Sequence, residues 1–329
     1  MHLAFGILTS RERPASVEQL LATLGPHSRV WIHHDDSQGP RPSPRGRDVR
    51  FVRSPVRTAW GEWSLCEAVL ATVREALEHP DWEYFQLLSG SCLPLRPVDT
   101  FAAHLALDPA EVHMDAVALA ADDVALMSHG FRAYAPVGTL RHRILRRLRS
   151  WYFGRDPLGE QRAGLSFTIP SPDVGPRPLA PLAKAVMRRA RAGALPGLPH
   201  PFGSGLDCWV GSTWWGARRH VCEWLVDTVR DAGPLVGHAR RMLIPDEVFF
   251  QTVTLNAGWR VGPSNHWISE FDGPHPRLIT TRGLPAAFAS HRWFARKFAP
   301  EPADPARTAV LARIGDVSGA RRARSAQFG

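Results

Sequence analysis

Leu3-Ala4-Phe5-Gly6-Ile7-Leu8 is an unbroken apolar run, too short to form the core of a helix, and it is read as a strand. Just after it, Ser16-Val17-Glu18-Gln19 has the form of a capping box, and Leu20, Leu21 and Leu24 continue a helical face until Gly25 stops it. Val30 to His34 and Val49 to Val52 then read as two further strands. A second capping box, Ser64-Leu65-Cys66-Glu67, opens a helix with Leu65, Val69, Val73, Ala76 and Leu77 on one face, ended by Pro80. Tyr84 to Leu88 follows as a buried strand. This alternation predicts an α/β fold, a mainly parallel Rossmann-like sheet with helices on both faces. Ligands of such sheets bind beyond the carboxyl ends of the strands, so Thr9, Asp35, Arg53, Ser89, Gly90 and Cys92 are candidates for one crevice.

Beyond the first 125 residues the texture changes. Pro-, Gly- and Arg-rich stretches fill 126–202 around one amphipathic segment, Leu140 to Tyr152, and read as a variable insertion over the crevice. Leu140, Ile144, Leu145, Leu148, Trp151 and Tyr152 share a face of that segment, and arginines fill most of the other, a pattern that fits docking on the chain's own core or on an anionic membrane surface. Strand and helix text returns from Asp207 to Val229 and from Glu247 to Leu255. A single domain is therefore expected over 1–300, with a nucleotide-binding half (1–125), the insertion (126–202) and an acceptor and catalytic half (203–300); residues 301–329 read as a disordered tail.

The 329 residues, 44% hydrophobic, suffice for a large core. Every apolar run is too short or too broken to span a bilayer, and the first residues read as a strand and not as a secretory leader, so a cytoplasmic protein is expected, with peripheral contact at the inner membrane face through 140–152. Cys66, Cys92, Cys208 and Cys222 lack Cys-x-x-Cys spacing and read as buried free thiols. The net charge is +9, yet only Lys184 and Lys297 are lysine, so 38 of the 40 basic residues are arginine. That skew points to compositional drift more than to selection for nucleic acid. Gly-x-Gly-x-x-Gly, P-loop, His-Glu-x-x-His and Asp-x-Asp motifs are all absent, which argues against dinucleotide oxidoreductases, P-loop kinases and zincins and leaves no evident metal ligands.

Trp60-Gly61-Glu62-Trp63-Ser64, then Tyr84-Phe85-Gln86-Leu87-Leu88-Ser89-Gly90-Ser91-Cys92-Leu93-Pro94-Leu95, then Pro245-Asp246-Glu247-Val248-Phe249-Phe250-Gln251-Thr252, then Phe294-Ala295-Arg296-Lys297-Phe298 occur in this order. Together they resemble the core-2/I-branching β-1,6-N-acetylglucosaminyltransferase family, which also contains the peptide O-xylosyltransferases. The resemblance implies a GT-A glycosyltransferase fold, a UDP-sugar co-substrate, inversion at the anomeric carbon and no divalent metal or other cofactor. It implies Glu247 as the catalytic base, Asp35 beside uracil and ribose, and Lys297 and Arg277 on the diphosphate with Arg296 assisting. Trp267 is implied as an aromatic stacking on the acceptor, with Trp214 and Asp246 placed on the same side. The chain departs from the family pattern at Cys92, where many members have Asp, and at Ser269, where an aromatic is common.

Physical chemistry supports the same roles. An inverting transfer needs one carboxylate to take the acceptor proton, and without a metal the leaving diphosphate must be neutralised by Arg and Lys. Glu247 and Asp246 also fit a pair of acids at a helix N-terminus, and Lys297 also fits a solvated surface lysine. The expected activity is transfer of a sugar, N-acetylglucosamine first, from UDP to a hydroxyl of a glycan or glycoconjugate, with xylosyl or glucosyl transfer as alternatives. A second class of reading is an Arg-rich polyanion-binding protein carrying clusters at Arg141–Arg149, Arg188–Arg191 and Arg321–Arg324.

Overall fold

A computed structural model describes residues 1–26, 28–44, 48–119, 140, 161–162, 165–166, 200–203, 205–231, 233–242, 244–269, 271–272 and 275–315. Nearly all of the expected insertion, its helix from Leu140 to Tyr152, and the arginine clusters at 141–149, 188–191 and 321–324 lie outside the described residues.

The chain runs β1 (Leu3–Thr9), α1 (Pro14–Thr23), β2 (Arg29–His34), β3 (Val49–Phe51), α2 (Trp63–Leu77), β4 (Tyr84–Ser89), β5 (Leu93–Pro94), α3 (Val98–Leu107) and β6 (Val112–Ala118). After the short strands β7 (Gln161–Arg162) and β8 (Leu165–Ser166) come β9 (Trp209–Arg218), α4 (Arg219–Asp231), α5 (Gly233–Ala239), a 3₁₀ turn at Pro245–Glu247 and α6 (Phe249–Leu255). β10 (Trp267–Ile268), β11 (Phe271–Asp272), β12 (His275–Pro276), α7 (Leu284–Ala289) and β13 (Phe294–Ala295) complete the labelled elements. No described helix is long and apolar enough to cross a membrane.

Six strands form one mixed sheet in the order β3-β2-β1-β4-β9-β6. β1 pairs in parallel with β2 and β4, and β2 with β3, while β9 runs antiparallel between β4 and β6. The sheet is therefore mainly parallel with one reversed strand. Alternation along β1 explains its double burial: Leu3, Phe5 and Ile7 enter one core with α1 and α3, whereas Ala4 and Leu8 enter the other with α2 and α4. Gly6 is required between them, because a Cβ there would lie 2.3 Å from Phe85 Cζ. All four cysteines are buried free thiols, as expected.

The two capping boxes did not place the helix starts. α1 begins at Pro14, whose fixed φ suits a first helical position, and Ser16 Oγ donates back to Arg13 O at 2.8 Å. α2 begins at Trp63, and Ser64 Oγ accepts the Ala59 N–H at 3.0 Å. Gly25 does end the first helical segment in the left-handed region, at φ 78°.

The larger correction concerns the end of the chain. Residues 305–315, assigned to a disordered tail by composition, are helical, and Ala306, Val310 and Ile314 are buried in the core shared with α1 and α3. Arg307 is fully buried and works as a clamp: Nε donates to Gln19 Oε1 at 2.8 Å, Nη2 to Ser16 O at 2.6 Å and Nη1 to Ala299 O at 3.2 Å. An Ala/Arg-rich segment thus orders because its arginine satisfies α1 and its apolar side chains close the core. Arg307→Met would strand those buried acceptors and should cost about 3 kcal/mol or more. Urea denaturation followed by tryptophan fluorescence checks this, and an unchanged midpoint would mean the terminal helix is dispensable.

Candidate functional site

A small sheet assembles the scattered motifs. β13 pairs in parallel with β10 and antiparallel with β5, so Phe294 lies opposite both Trp267 and Pro94. Arg296 N–H continues the ladder to Ile268 O at 3.0 Å, Phe298 N–H reaches Ser91 O at 3.0 Å, and Lys297 O accepts the Ile279 N–H at 2.8 Å. Phe294 and Phe298 are buried, which anchors the segment and leaves the Lys297 side chain exposed between them. The end of β4, the Trp267 strand and the Arg296-Lys297 pair therefore meet at one sheet edge.

Glu247 is held from two directions. Its turn starts at Ile244, a β-branched residue in the left-handed region at φ 58°, whose N–H donates to Gly61 O at 3.0 Å. Trp60-Gly61-Glu62-Trp63 is thereby tied to Pro245-Asp246-Glu247, and Trp63 packs edge-on against Phe249 with ring centroids 4.8 Å apart. From the other side the first residues of β9 hold the segment: Thr213 Oγ1 and Asp246 Oδ2 share a hydrogen bond of 2.6 Å, Gln251 Nε2 donates to Ser212 O at 2.6 Å, and Thr252 Oγ1 accepts the Trp209 N–H at 3.1 Å. Such over-determination is what keeps a strained turn in place.

The electrostatics centre on Arg296. Its guanidinium lies over the Trp214 ring, 4.8 Å from the centroid, and Trp214 stacks on Trp267 at 5.1 Å. Its Nε is buried without a hydrogen-bond partner. Burial lowers its pKa, against the opposing charges of the Cys92 thiolate form, Glu12 and Glu247. Glu247 is half-buried, and its carboxyl is pushed well above the usual range, first by burial and then by Asp246, with Arg296 pulling the other way. A carboxyl poised in this way can accept a proton near neutral pH, and a desolvated guanidinium with no ion pair among the described residues suits an incoming anion.

The remaining expected residues divide. Asp35, expected beside a nucleoside, is 2% exposed and already saturated: Oδ1 accepts Ser37 N–H and Oγ–H at 3.0 and 2.6 Å, and Oδ2 accepts Gln38 Nε2 at 2.6 Å, Thr58 N–H at 2.7 Å and Thr58 Oγ1 at 2.9 Å. Burial would raise its pKa, but the bonds from Ser37, Thr58 and Gln38 outweigh it and hold the carboxyl well below the ordinary value. It organises the loop after β2. Ser89 Oγ is engaged by Ser91 Oγ at 2.8 Å and Cys92 Sγ at 3.0 Å, and the same cramped loop needs Gly90, where a Cβ would lie 2.9 Å from Thr9 Cγ2. Arg53 turns away to pair with Glu75 and Glu78 of the α2 region.

Two residues expected on the acceptor side are buried. Trp267 is only 5% exposed, because its ring is covered by Trp214 and Phe294 although its strand is at the edge of the small sheet; it offers no open platform. Asp246 is 3% exposed and points inward to Thr213. Trp214 is half-buried and borders the site through Arg296. Arg277 is exposed, two residues before the Ile279 that bonds Lys297, and so lies along the same edge.

Two residues went unnoticed in the sequence. Thr213 has no local signal, since its partner is 33 residues away. Glu12 packs where a Gly90 side chain would extend, 3.2 Å from that position, accepts the Ser10 N–H at 2.8 Å and lies close enough to act on Arg296. Residues 3–117 match the family model described as Core-2/I-Branching enzyme, and the curated proteins give no match. The matched segment runs from β1 to β6 and ends before β9, so the roles of Glu247 and Arg296 stand on geometry.

The Glu247 titration is measurable directly by carboxyl ¹³C NMR. Its midpoint should lie well above that of an ordinary carboxylate, and Arg296→Met, which removes a cation that lowers it, should move it higher still. A midpoint in the usual glutamate range, indifferent to Arg296, would show that Glu247 is solvated and unpoised.

Proposed function

We propose that this chain, whose residues 3–117 belong to the Core-2/I-Branching enzyme family, is an inverting glycosyltransferase of GT-A fold that moves a sugar, N-acetylglucosamine first, from UDP to a hydroxyl of a glycan or glycoconjugate. Glu247 takes the proton of the acceptor hydroxyl as its oxygen bonds to the anomeric carbon. The bond from that carbon to the diphosphate breaks on the opposite face, and UDP leaves with the electron pair. Arg296 and Lys297 receive the charge that builds on the diphosphate, with Arg277 along the same edge, so no divalent metal is required.

The observation that carries this reading is the pairing of a desolvated carboxyl with a desolvated guanidinium that closes no salt bridge among the described residues, at the carboxyl ends of β1 and β4. An enzyme of this kind needs a base and an anion site at opposite ends of one bond. Lys297 complements Arg296 by presenting a mobile point charge where the guanidinium is fixed by stacking on Trp214.

Glu247→Gln should lower sugar transfer by about 10²–10⁴-fold while UDP affinity stays near wild type. Lys297→Ala should weaken UDP binding and slow transfer together. A screen of UDP-N-acetylglucosamine, UDP-xylose and UDP-glucose hydrolysis, run in excess EDTA, identifies the donor. Substantial transfer by Glu247→Gln would remove the base, and activity abolished by EDTA and restored by Mn²⁺ would remove the metal-free mechanism.

A further inference from the structure

Asp246 is adjacent to the proposed base yet takes no part in the chemistry above. It is 3% exposed, its Oδ2 lies 2.6 Å from Thr213 Oγ1, and its Oδ1 is buried with no hydrogen-bond partner. The groups that act on it are the Thr213 hydroxyl from β9, its own backbone N–H, the Glu247 carboxyl of its own turn and the Cys66 thiol from α2; no arginine, lysine or histidine is among them. Arg296, the cation of the site, acts on Glu247.

A carboxylate in that position would be buried with no cation and with one oxygen unpartnered, its own backbone N–H and the Thr213 hydroxyl being the only donors among those groups, an arrangement that is costly. The neutral acid avoids the cost. Its O–H donates from Oδ2 to Thr213 Oγ1, and the oxygen left without a partner is then a carbonyl, whose desolvation is far cheaper. Two neighbouring carboxyls in a desolvated site also resist double ionisation, and the single charge settles where a cation faces it. Only Glu247 meets that condition.

We propose that Asp246 is a positioning residue that keeps its proton at working pH, so that the one negative charge of the pair stands on Glu247, while its hydrogen bond to Thr213 fixes the turn from β9. The inference rests on Glu247 being the base. It also implies that the second cause raising Glu247, the charge of Asp246, is absent in the working enzyme, which leaves burial against Arg296 to set its poise. The direction of the Asp246 shift, upward through burial, agrees with this geometry.

Infrared difference spectroscopy near neutral pH, on protein without substrate, tests the assignment. Wild type minus Asp246→Asn should show the carbonyl stretch of a protonated carboxylic acid, and Glu247→Gln should retain that band, which locates the proton on Asp246. Thr213→Val, which removes the partner of the O–H, should shift the band without abolishing it and serves if Asp246→Asn fails to fold. The Glu247 ¹³C midpoint should be the same in Asp246→Asn as in wild type, because a neutral group replaces a neutral group. Absence of the band, its loss in Glu247→Gln, or a fall of the Glu247 midpoint in Asp246→Asn would each show that Asp246 is ionised and overturn the proposal. Since neither measurement needs a donor sugar, a protein that passes both and transfers nothing would sink the transfer reading alone.

Discussion

The antiparallel seating of β9 between β4 and β6 is the constraint on which the site depends. β9 starts at the carboxyl end of the parallel strands, so its first residues, Trp209 to Trp214, sit where β1 and β4 finish. From there Ser212, Thr213 and the Trp209 backbone bind Gln251, Asp246 and Thr252, and Trp214 meets both Trp267 and Arg296. A parallel strand in the same place would put those residues at the opposite edge of the sheet. One reversal of direction thus couples the turn bearing Glu247 to the sheet edge bearing Arg296.

Desolvation then divides the work among similar groups. Arg53 and Arg296 are both arginines near strand ends, but Arg53 is neutralised by Glu75 and Glu78 in solvent, whereas Arg296 is stacked on Trp214 with a buried, unpartnered Nε. Only the second retains unspent attraction for an anion. The acids divide likewise: Asp35 spends its charge on five hydrogen bonds of its own loop, while Glu247 keeps a desolvated carboxyl facing a cation. Residue type alone would rank these groups equally.

Support for the site comes from far along the chain. Arg307 fastens the terminal helix to α1, and that helix closes the core that also contains Phe294, Phe298 and Trp267. The segment carrying Arg296 and Lys297 is therefore backed by packing, not suspended in a loop. Functional groups placed to within a fraction of an ångström need such backing.

By itself the sequence determined the α/β alternation, the strands from Leu3, Val30, Val49 and Tyr84, the Gly25 stop, the burial of the cysteines and the likeness of residues 3–117 to the Core-2/I-Branching enzyme model, because these follow from short-range periodicity and local motif spacing. It also singled out Glu247, Arg296 and Lys297, whose local settings are unusual: a Pro-Asp-Glu turn before an apolar run, and a rare lysine between buried phenylalanines. Tertiary structure alone decided that Asp35 is spent on its own loop, that Trp267 and Asp246 face inward and that residues 305–315 are folded. The deciding partner is distant in the chain for Asp246 and Arg307, which meet Thr213 and Gln19, and Asp35 adds the distant Thr58 to its neighbours Ser37 and Gln38. Solvent exposure and hydrogen-bond saturation are properties of those long-range contacts, which composition and spacing along the chain do not encode.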